Sequence, residues 1–197
     1  MLHNLFTYNA WSFEHESNLK DYCYNIRDNG GCSVRHSNIG GYQSPALDLD
    51  EPKLQPLINS ILNETSQYSK HFETKIEYLY ISQMWISINS YKDLNIEHRH
   101  ANCMFSGVYY ISTPPNCGSI EFVRPDSDFL NSYWWNVERK NFNAMNTNLW
   151  WLSCQENMGY IFPSYYAHRV QPNLNKDQDR ISISFNIQHG EKPKSYT

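Results

Sequence analysis

Hydrophobic residues recur at helical spacing in the first third of the chain and at strand spacing in the rest. Ser12 is placed to cap a helix running to Tyr24, with Phe13, Leu19, Tyr22 and Cys23 at helix-like intervals and Asn29-Gly30-Gly31 as its stop. Pro52 suits the first position of a second helix, in which Leu54, Leu57, Ile58, Ile61 and Leu62 form an apolar stripe. From Ile76 the period shortens. Residues 76–81 and 84–88 are β-branched and aromatic runs, interrupted near Ser82-Gln83. Further strands are expected over residues 103–112, 119–123, 158–162 and 180–188, with breakers such as Thr113-Pro114-Pro115-Asn116-Cys117-Gly118 between them. Short strands separated by turns, without alternating helices, indicate an antiparallel sandwich or barrel. No internal repeat is visible.

A chain of 197 residues fits one domain, here with a helical N-terminal part over about residues 1–75 and a β core over about 76–190. The net charge of -4 and the absence of a Lys/Arg run exclude a nucleic-acid groove and an anionic-membrane surface, since either needs a basic patch. No apolar stretch approaches the roughly eighteen residues of a membrane span, and the first residues lack a basic region followed by an apolar one. A soluble, cytoplasmic protein is the expectation. Cys23, Cys32, Cys103, Cys117 and Cys154 are scattered and never spaced C-x-x-C, so free thiols are expected rather than a disulfide framework or structural zinc.

The chemistry-bearing residues follow the pattern H-x-H-x67-H-x11-R-x-S: His98-Arg99-His100, then His168, then Arg180-Ile181-Ser182. On a strand His98 and His100 share a face while Glu97 and Arg99 take the other, so two imidazoles can reach one ion. A third from a distant strand completes a facial set and leaves positions open, the geometry of a non-haem Fe(II) oxygenase, in which two His and one carboxylate usually occupy the face. Asn102 would share that face if the strand continues, to orient a ligand or to cap the turn. A lone H-x-H pair would more often be structural. His168 and Arg180 in register are what favour a site, whereas His3, His15, His36, His71 and His189 lack such partners.

In family order, the blocks His98-Arg99-His100, Ser106-Gly107-Val108-Tyr109-Tyr110, residues 118–125, residues 162–170 and residues 180–187 resemble the 2-oxoglutarate and Fe(II)-dependent oxygenases. More narrowly they are similar to a small bacterial and phage group related to the prolyl hydroxylases, and the matching blocks span roughly residues 84–188. The resemblance implies a double-stranded β-helix, a cupin-like jelly roll with the metal in one open end. It also implies Fe(II), 2-oxoglutarate as cosubstrate and O2. By the same resemblance His98 and His100 are the first two metal ligands and His168 the distal one, on a strand of the opposing sheet. Arg180 clamps the far carboxylate of 2-oxoglutarate, helped by the hydroxyls of Ser182 and Tyr110. A guanidinium suits that task, because its two parallel donors bind a carboxylate bidentately where lysine offers a point charge. The chain departs from the broader pattern in one place: Asp or Glu usually stands where His100 stands. Glu97 faces away by alternation, and Asp93 precedes the strand in a loop.

Residues 126–155 read as neither strand nor helix, yet hold Trp134, Trp135, Trp150 and Trp151. Such a segment could be a lid over the metal, a packed surface loop or a contact within a homodimer. The expected activity is hydroxylation of a second substrate with release of succinate and CO2. The resemblance to prolyl hydroxylases makes a prolyl or other peptidyl side chain the first expectation, and a small molecule stays open. A cupin-type dioxygenase or isomerase without 2-oxoglutarate and a non-catalytic metal-binding module are the alternatives. Unperturbed histidines titrate near 6.5, so metal affinity is expected to fall as the pH drops through about 6.

Overall fold

The computed structural model describes residues 1, 3, 6–134 and 137–190. In chain order the elements are β1 (Trp11–Glu14), α1 (Lys20–Asn29), β2 (Asn38–Ile39), β3 (Tyr42–Gln43), α2 (Gln55–Ser69), β4 (Leu79–Asn89), β5 (Leu94–His98), β6 (Phe105–Ser112), β7 (Ser119–Val123), α3 (Ser127–Trp134), β8 (Leu149–Ser153), β9 (Met158–Pro163), β10 (His168–Val170) and β11 (Arg180–His189). They form two antiparallel sheets, a six-stranded one in the order β1-β9-β6-β11-β4-β3 and a five-stranded one in the order β2-β5-β10-β7-β8. This is the jelly roll with flanking N-terminal helices.

Strand β11 shows how the sequence divides the molecule. Ile181, Ile183, Phe185 and Ile187 of β11 are fully buried on the outer face of the large sheet, in one core with Leu57, Ile58 and Ile61 of α2 and Cys23 of α1. Arg180, Ser182, Ser184 and Asn186 alternate with them and face the cavity between the sheets. The same split runs through β6, where Tyr109 joins the outer core and Tyr110 the inner cluster of Val108, Ile120, Tyr160, Phe162 and Tyr166. Gly107 fits this scheme sterically. It lies opposite Phe185 in the ladder, and a Cβ there would come within 2.3 Å of the phenyl ring.

Several expectations about elements change. The N-terminal part is not purely helical, because residues 11–14 form β1 on the edge of the large sheet and β2 and β3 extend the two sheets. Phe13 is aimed by strand alternation into the space over Gly159, where an added Cβ would lie 2.2 Å from its ring. A helical N-cap at Ser12 would lose that packing, so tertiary contact overrides the local pattern and α1 starts only at Lys20. Its end at Gly30 is as read: the Gly30 N–H donates to Ile26 O at 2.6 Å. The second helix begins at Gln55 with Pro56 in its first turn, and the expected stripe lies on the core. The interruption at Ser82-Gln83 is a bulge inside one strand, since Asn186 pairs with Gln83 while Ile187 pairs with Ile81. Skipping one residue returns both Ile81 and Met84 to the core side. The 126–155 segment contains α3 and β8, the latter an edge strand on β7. All five cysteines are free thiols. Among the described residues no helix is long and apolar enough to cross a membrane.

β2 and β3 are separated by Gly40 and Gly41, both at left-handed φ (69° and 65°) that glycine adopts without strain. β2 pairs with β5 of the small sheet and β3 with β4 of the large one. The segment therefore ties the two sheets together along one side of the cavity.

Candidate metal centre and cosubstrate pocket

His98 ends β5 and His168 begins β10; the two are directly paired in one sheet. The distal histidine thus comes from the neighbouring strand of the same sheet, not from the opposing one. His100 lies beyond the end of β5, where its N–H donates to Ser164 O at 3.1 Å, so loop geometry rather than strand alternation turns its ring inward. The three imidazoles offer ligand atoms all within 4.8 Å of one another. Their ring centroids are 4.3 Å (His98–His168), 5.1 Å (His98–His100) and 5.1 Å (His100–His168) apart.

Each Nδ1 is occupied. His98 Nδ1 lies 2.8 Å from Ile96 O and His168 Nδ1 2.9 Å from Tyr166 O; a carbonyl can only accept, so both Nδ1 atoms carry the proton. His100 Nδ1 lies 2.7 Å from Asn186 Oδ1. The Nε2 lone pairs remain, on rings whose orientation is fixed, as metal-binding histidines require. Burial holds the rings neutral: desolvation, with the neighbouring imidazoles adding to it, lowers His100 to about 4 and His168 to about 3, and desolvation also lowers His98. A metal can therefore bind without first displacing protons at neutral pH. Asp93 and Glu97 do not join the triad. The Asp93 carboxylate accepts from the Ser90 N–H at 2.8 Å and lies against Gly40, and Glu97 is exposed.

The triad opens into a cavity of about 560 Å³ that also contains Tyr110, Arg180 and Ser182. Arg180, only 1% exposed, donates through Nη1 to the carbonyls of Cys117 and Gln171. Its Nη2 is buried with no hydrogen-bond partner, and the Tyr110 hydroxyl is buried with no partner nearer than the weakly accepting Cys154 thiol. Leaving the Arg180 donor unpaired costs about 1–3 kcal/mol, a cost that a carboxylate placed between the two would remove. Burial raises the Tyr110 phenol well above its ordinary value, so it is a proton donor at any physiological pH. The pocket therefore offers a place for a carboxylate at the large sheet, in the same cavity as the imidazoles.

The residues of β4 through β11 that build this cavity also match a family model. It spans residues 83–186, more than half of the chain, and is described as "Putative 2OG-Fe(II) oxygenase". The chain belongs to the 2OG-Fe(II) oxygenases. It is accordingly an oxidoreductase whose family uses Fe(II), 2-oxoglutarate and O2. A search of the curated proteins finds no match to the sequence. Among solved structures it is similar to a prolyl-4-hydroxylase from Pseudomonas putida, at 12% identity and a TM-score of 0.63, covering 93% of this chain and 95% of that one. It is also similar to a prolyl hydroxylase from Trichoplax adhaerens solved with a hypoxia-inducible-factor peptide (14%, TM-score 0.57, 86% and 74% covered). The non-haem, α-ketoglutarate-dependent epimerase SnoN from nogalamycin biosynthesis is comparably similar (11%, TM-score 0.60, 85% and 70% covered). At these identities the likeness carries the fold, and the fold serves more than one reaction.

Other expected site residues lie elsewhere. Asn102 is at a left-handed turn (φ 58°) after β5 has ended; its carbonyl accepts from Gln188 Nε2 at 2.6 Å and its side chain does not line the cavity. Trp150 and Trp151 are 48% and 57% exposed on β8, their rings 6.3 Å apart, and neither lines the cavity. The side chains of Trp134 and Trp135 lie outside the described residues. The cavity wall comes instead from the segment that ties the sheets: Val34, Ser37, Gln43 and Ser44 line it, and Ser37 Oγ is 3.5 Å from His98 Nε2. Sequence reasoning missed this wall, and no periodic signal marks it. Trp85, stacked on His100 at 5.7 Å, and Asn186 were readable in principle, because alternation from the core residues of β4 and β11 puts both on the inner face.

Proposed function

We propose that His98, His100 and His168 hold Fe(II) through their Nε2 atoms, that Arg180, Tyr110 and Ser182 hold the far carboxylate of 2-oxoglutarate, and that the second substrate is a prolyl or other peptidyl side chain, which is hydroxylated. The observation that carries the cosubstrate assignment is the unpartnered buried Arg180 Nη2, with the buried Tyr110 hydroxyl, in the cavity into which the triad opens. When bound, Fe(II), 2-oxoglutarate and O2 would supply the oxidative chemistry, with O2 as the oxidant: one of its oxygen atoms would end in succinate as CO2 is lost and the other in the substrate's new hydroxyl. The chain supplies placement. Ile96 O and Tyr166 O keep the Nδ1 protons of His98 and His168 in place so that their Nε2 atoms face the site. Arg180 fixes the cosubstrate's far end, the Tyr110 O–H donates to the same carboxylate, and the wall of residues 34–46 keeps bulk water from one side of the cavity.

The cavity supports a peptidyl substrate. Its lining, among the described residues, contains no Asp, Glu or Lys, while Gln43, Gln83, Asn89 and Asn95 offer amides that can pair with peptide groups. The absence of carboxylates disfavours a cationic side chain, and a proline ring needs none. The similarity in fold to the Pseudomonas putida prolyl-4-hydroxylase points the same way. Incubation with Fe(II), 2-oxoglutarate and capped proline-containing peptides tests the reading by mass spectrometry and succinate release. A peptide that gains one oxygen atom as succinate forms is the expected result. Succinate without peptide oxidation would overturn the prolyl substrate, and failure of 2-oxoglutarate to bind the metal-loaded protein would overturn the clamp.

A further inference from the structure

Two of the three imidazoles are held by main-chain carbonyls at the same offset, His98 by Ile96 O and His168 by Tyr166 O. His100 alone depends on a side chain. Its partner, Asn186, lies on the inner face of β11 six residues beyond Arg180, so one strand carries the carboxylate clamp near its start and the support of the third imidazole further on. The amide is itself held. In the ladder Asn186 pairs with Ser106 on β6 and with Gln83 on β4, and the side chains form a row across three strands. Ser106 Oγ donates to Asn186 Oδ1 at 2.9 Å, and Asn186 Nδ2 reaches Gln83 Oε1 at 3.5 Å. Gln83 follows the bulge at Ser82, which sets the register of this row. With Nδ2 directed to Gln83 and both acceptor positions of Oδ1 taken by Ser106 and His100, the amide faces the imidazole with oxygen rather than nitrogen.

We infer that Asn186 is a positioning residue for His100. Its oxygen selects the tautomer with the proton on Nδ1, aims Nε2 at the metal, and sets the site for a neutral third ligand where the broader pattern has a carboxylate. A flipped or missing amide would leave His100 free to place its proton on Nε2 and so withdraw a ligand. The inference rests on the triad being the metal site. Metal binding itself tests it, with Co(II) as the probe, by titration and by the visible absorption of the bound ion.

Loss of a partner that orients a metal-bound histidine typically costs about 10- to 100-fold in affinity, so Asn186→Leu should weaken Co(II) binding by that factor and shift the absorption bands. Asn186→Asp keeps an acceptor oxygen in the same place and should bind Co(II) within about threefold of the unsubstituted protein, a rescue that mere filling of space would not give. Ser106→Ala keeps the size of the row and removes the hydroxyl that orients the amide. It should weaken binding by a few-fold, which keeps the inference testable should Asn186→Leu fail to fold. Unchanged affinity and spectra in folded Asn186→Leu, or in Ser106→Ala if the former does not fold, would overturn it, as would Asn186→Asp binding no better than Asn186→Leu. His168→Ala separates the two levels. Co(II) binding that survives His168→Ala overturns the triad itself, whereas binding lost there but untouched by Asn186→Leu overturns only the role of Asn186.

Discussion

The two faces of β11 are both largely buried and serve opposite purposes. On the outer face Ile181, Ile183, Phe185 and Ile187 are each 0% exposed and every atom is packed; on the inner face Arg180, Ser182 and Asn186 are 1%, 6% and 9% exposed, and Arg180 keeps an unpaired donor. Apolar burial stabilises the fold outright. Polar burial without a partner does the reverse, and the deficit is recovered only when a ligand arrives. A single strand thus carries both the core of the large sheet and the polar wall of the cavity, divided by side-chain alternation alone.

Truncation should break the comparison most visibly. Ile183→Ala removes packed atoms from a core that cannot collapse fully, and should cost about 2–5 kcal/mol in denaturant unfolding while leaving 2-oxoglutarate affinity of the folded protein unchanged. Loading the inner face should act in the opposite sense. Fe(II) with 2-oxoglutarate at about a hundred times its dissociation constant should add about 2.7 kcal/mol, seen as a rise in the unfolding temperature of several degrees that metal alone does not reproduce. Arg180→Lys keeps the charge and loses the fork. It should cost on the order of 2 kcal/mol, raising the KM for 2-oxoglutarate about thirtyfold with little change in Co(II) affinity. Ser182→Ala should be the mildest substitution, about 1 kcal/mol in cosubstrate binding and less in unfolding free energy.

Near neutrality the response to pH should be smaller still, and its sign is fixed. The three imidazoles titrate lower in the folded protein than the ordinary 6.5, so between those values the unfolded chain binds more protons. Stability of the metal-free protein should be complete above about 6.5 and decline as the pH falls toward 4 and then 3. The same shifts correct the expectation from free histidine. Co(II) affinity of the folded protein should hold as the pH passes through about 6, because protons compete only at lower pH. A titration that instead loses Co(II) at 6 would place the ligands at exposed histidines.

Much of this was legible in the chain because strand periodicity is local. The inner and outer faces of β11 can be read off Arg180-Ile181-Ser182-Ile183-Ser184-Phe185-Asn186-Ile187, and the H-x-H pair with its distant partners His168 and Arg180 picks out the residues the cavity assembles. Periodicity gave less where few residues carry it. The two-residue strands β2 and β3 have no detectable pattern, and Trp11-Ser12-Phe13-Glu14 is a strand because Gly159, far along the chain, leaves room for Phe13.

By itself, then, the sequence determined which residue types alternate, where helix α2 buries its stripe, and which side chains are chemically fit to bind iron and a dicarboxylate. Only the tertiary structure decided that His98 and His168 are neighbours in one sheet, that His100 reaches them from a loop rather than a strand, and that residues 34–46 rather than Trp150 and Trp151 wall the cavity. The reason is physical. A side chain's face follows from the residues beside it, whereas strand pairing and the orphaning of Arg180 Nη2 depend on contacts between segments dozens of residues apart, for which no local pattern exists.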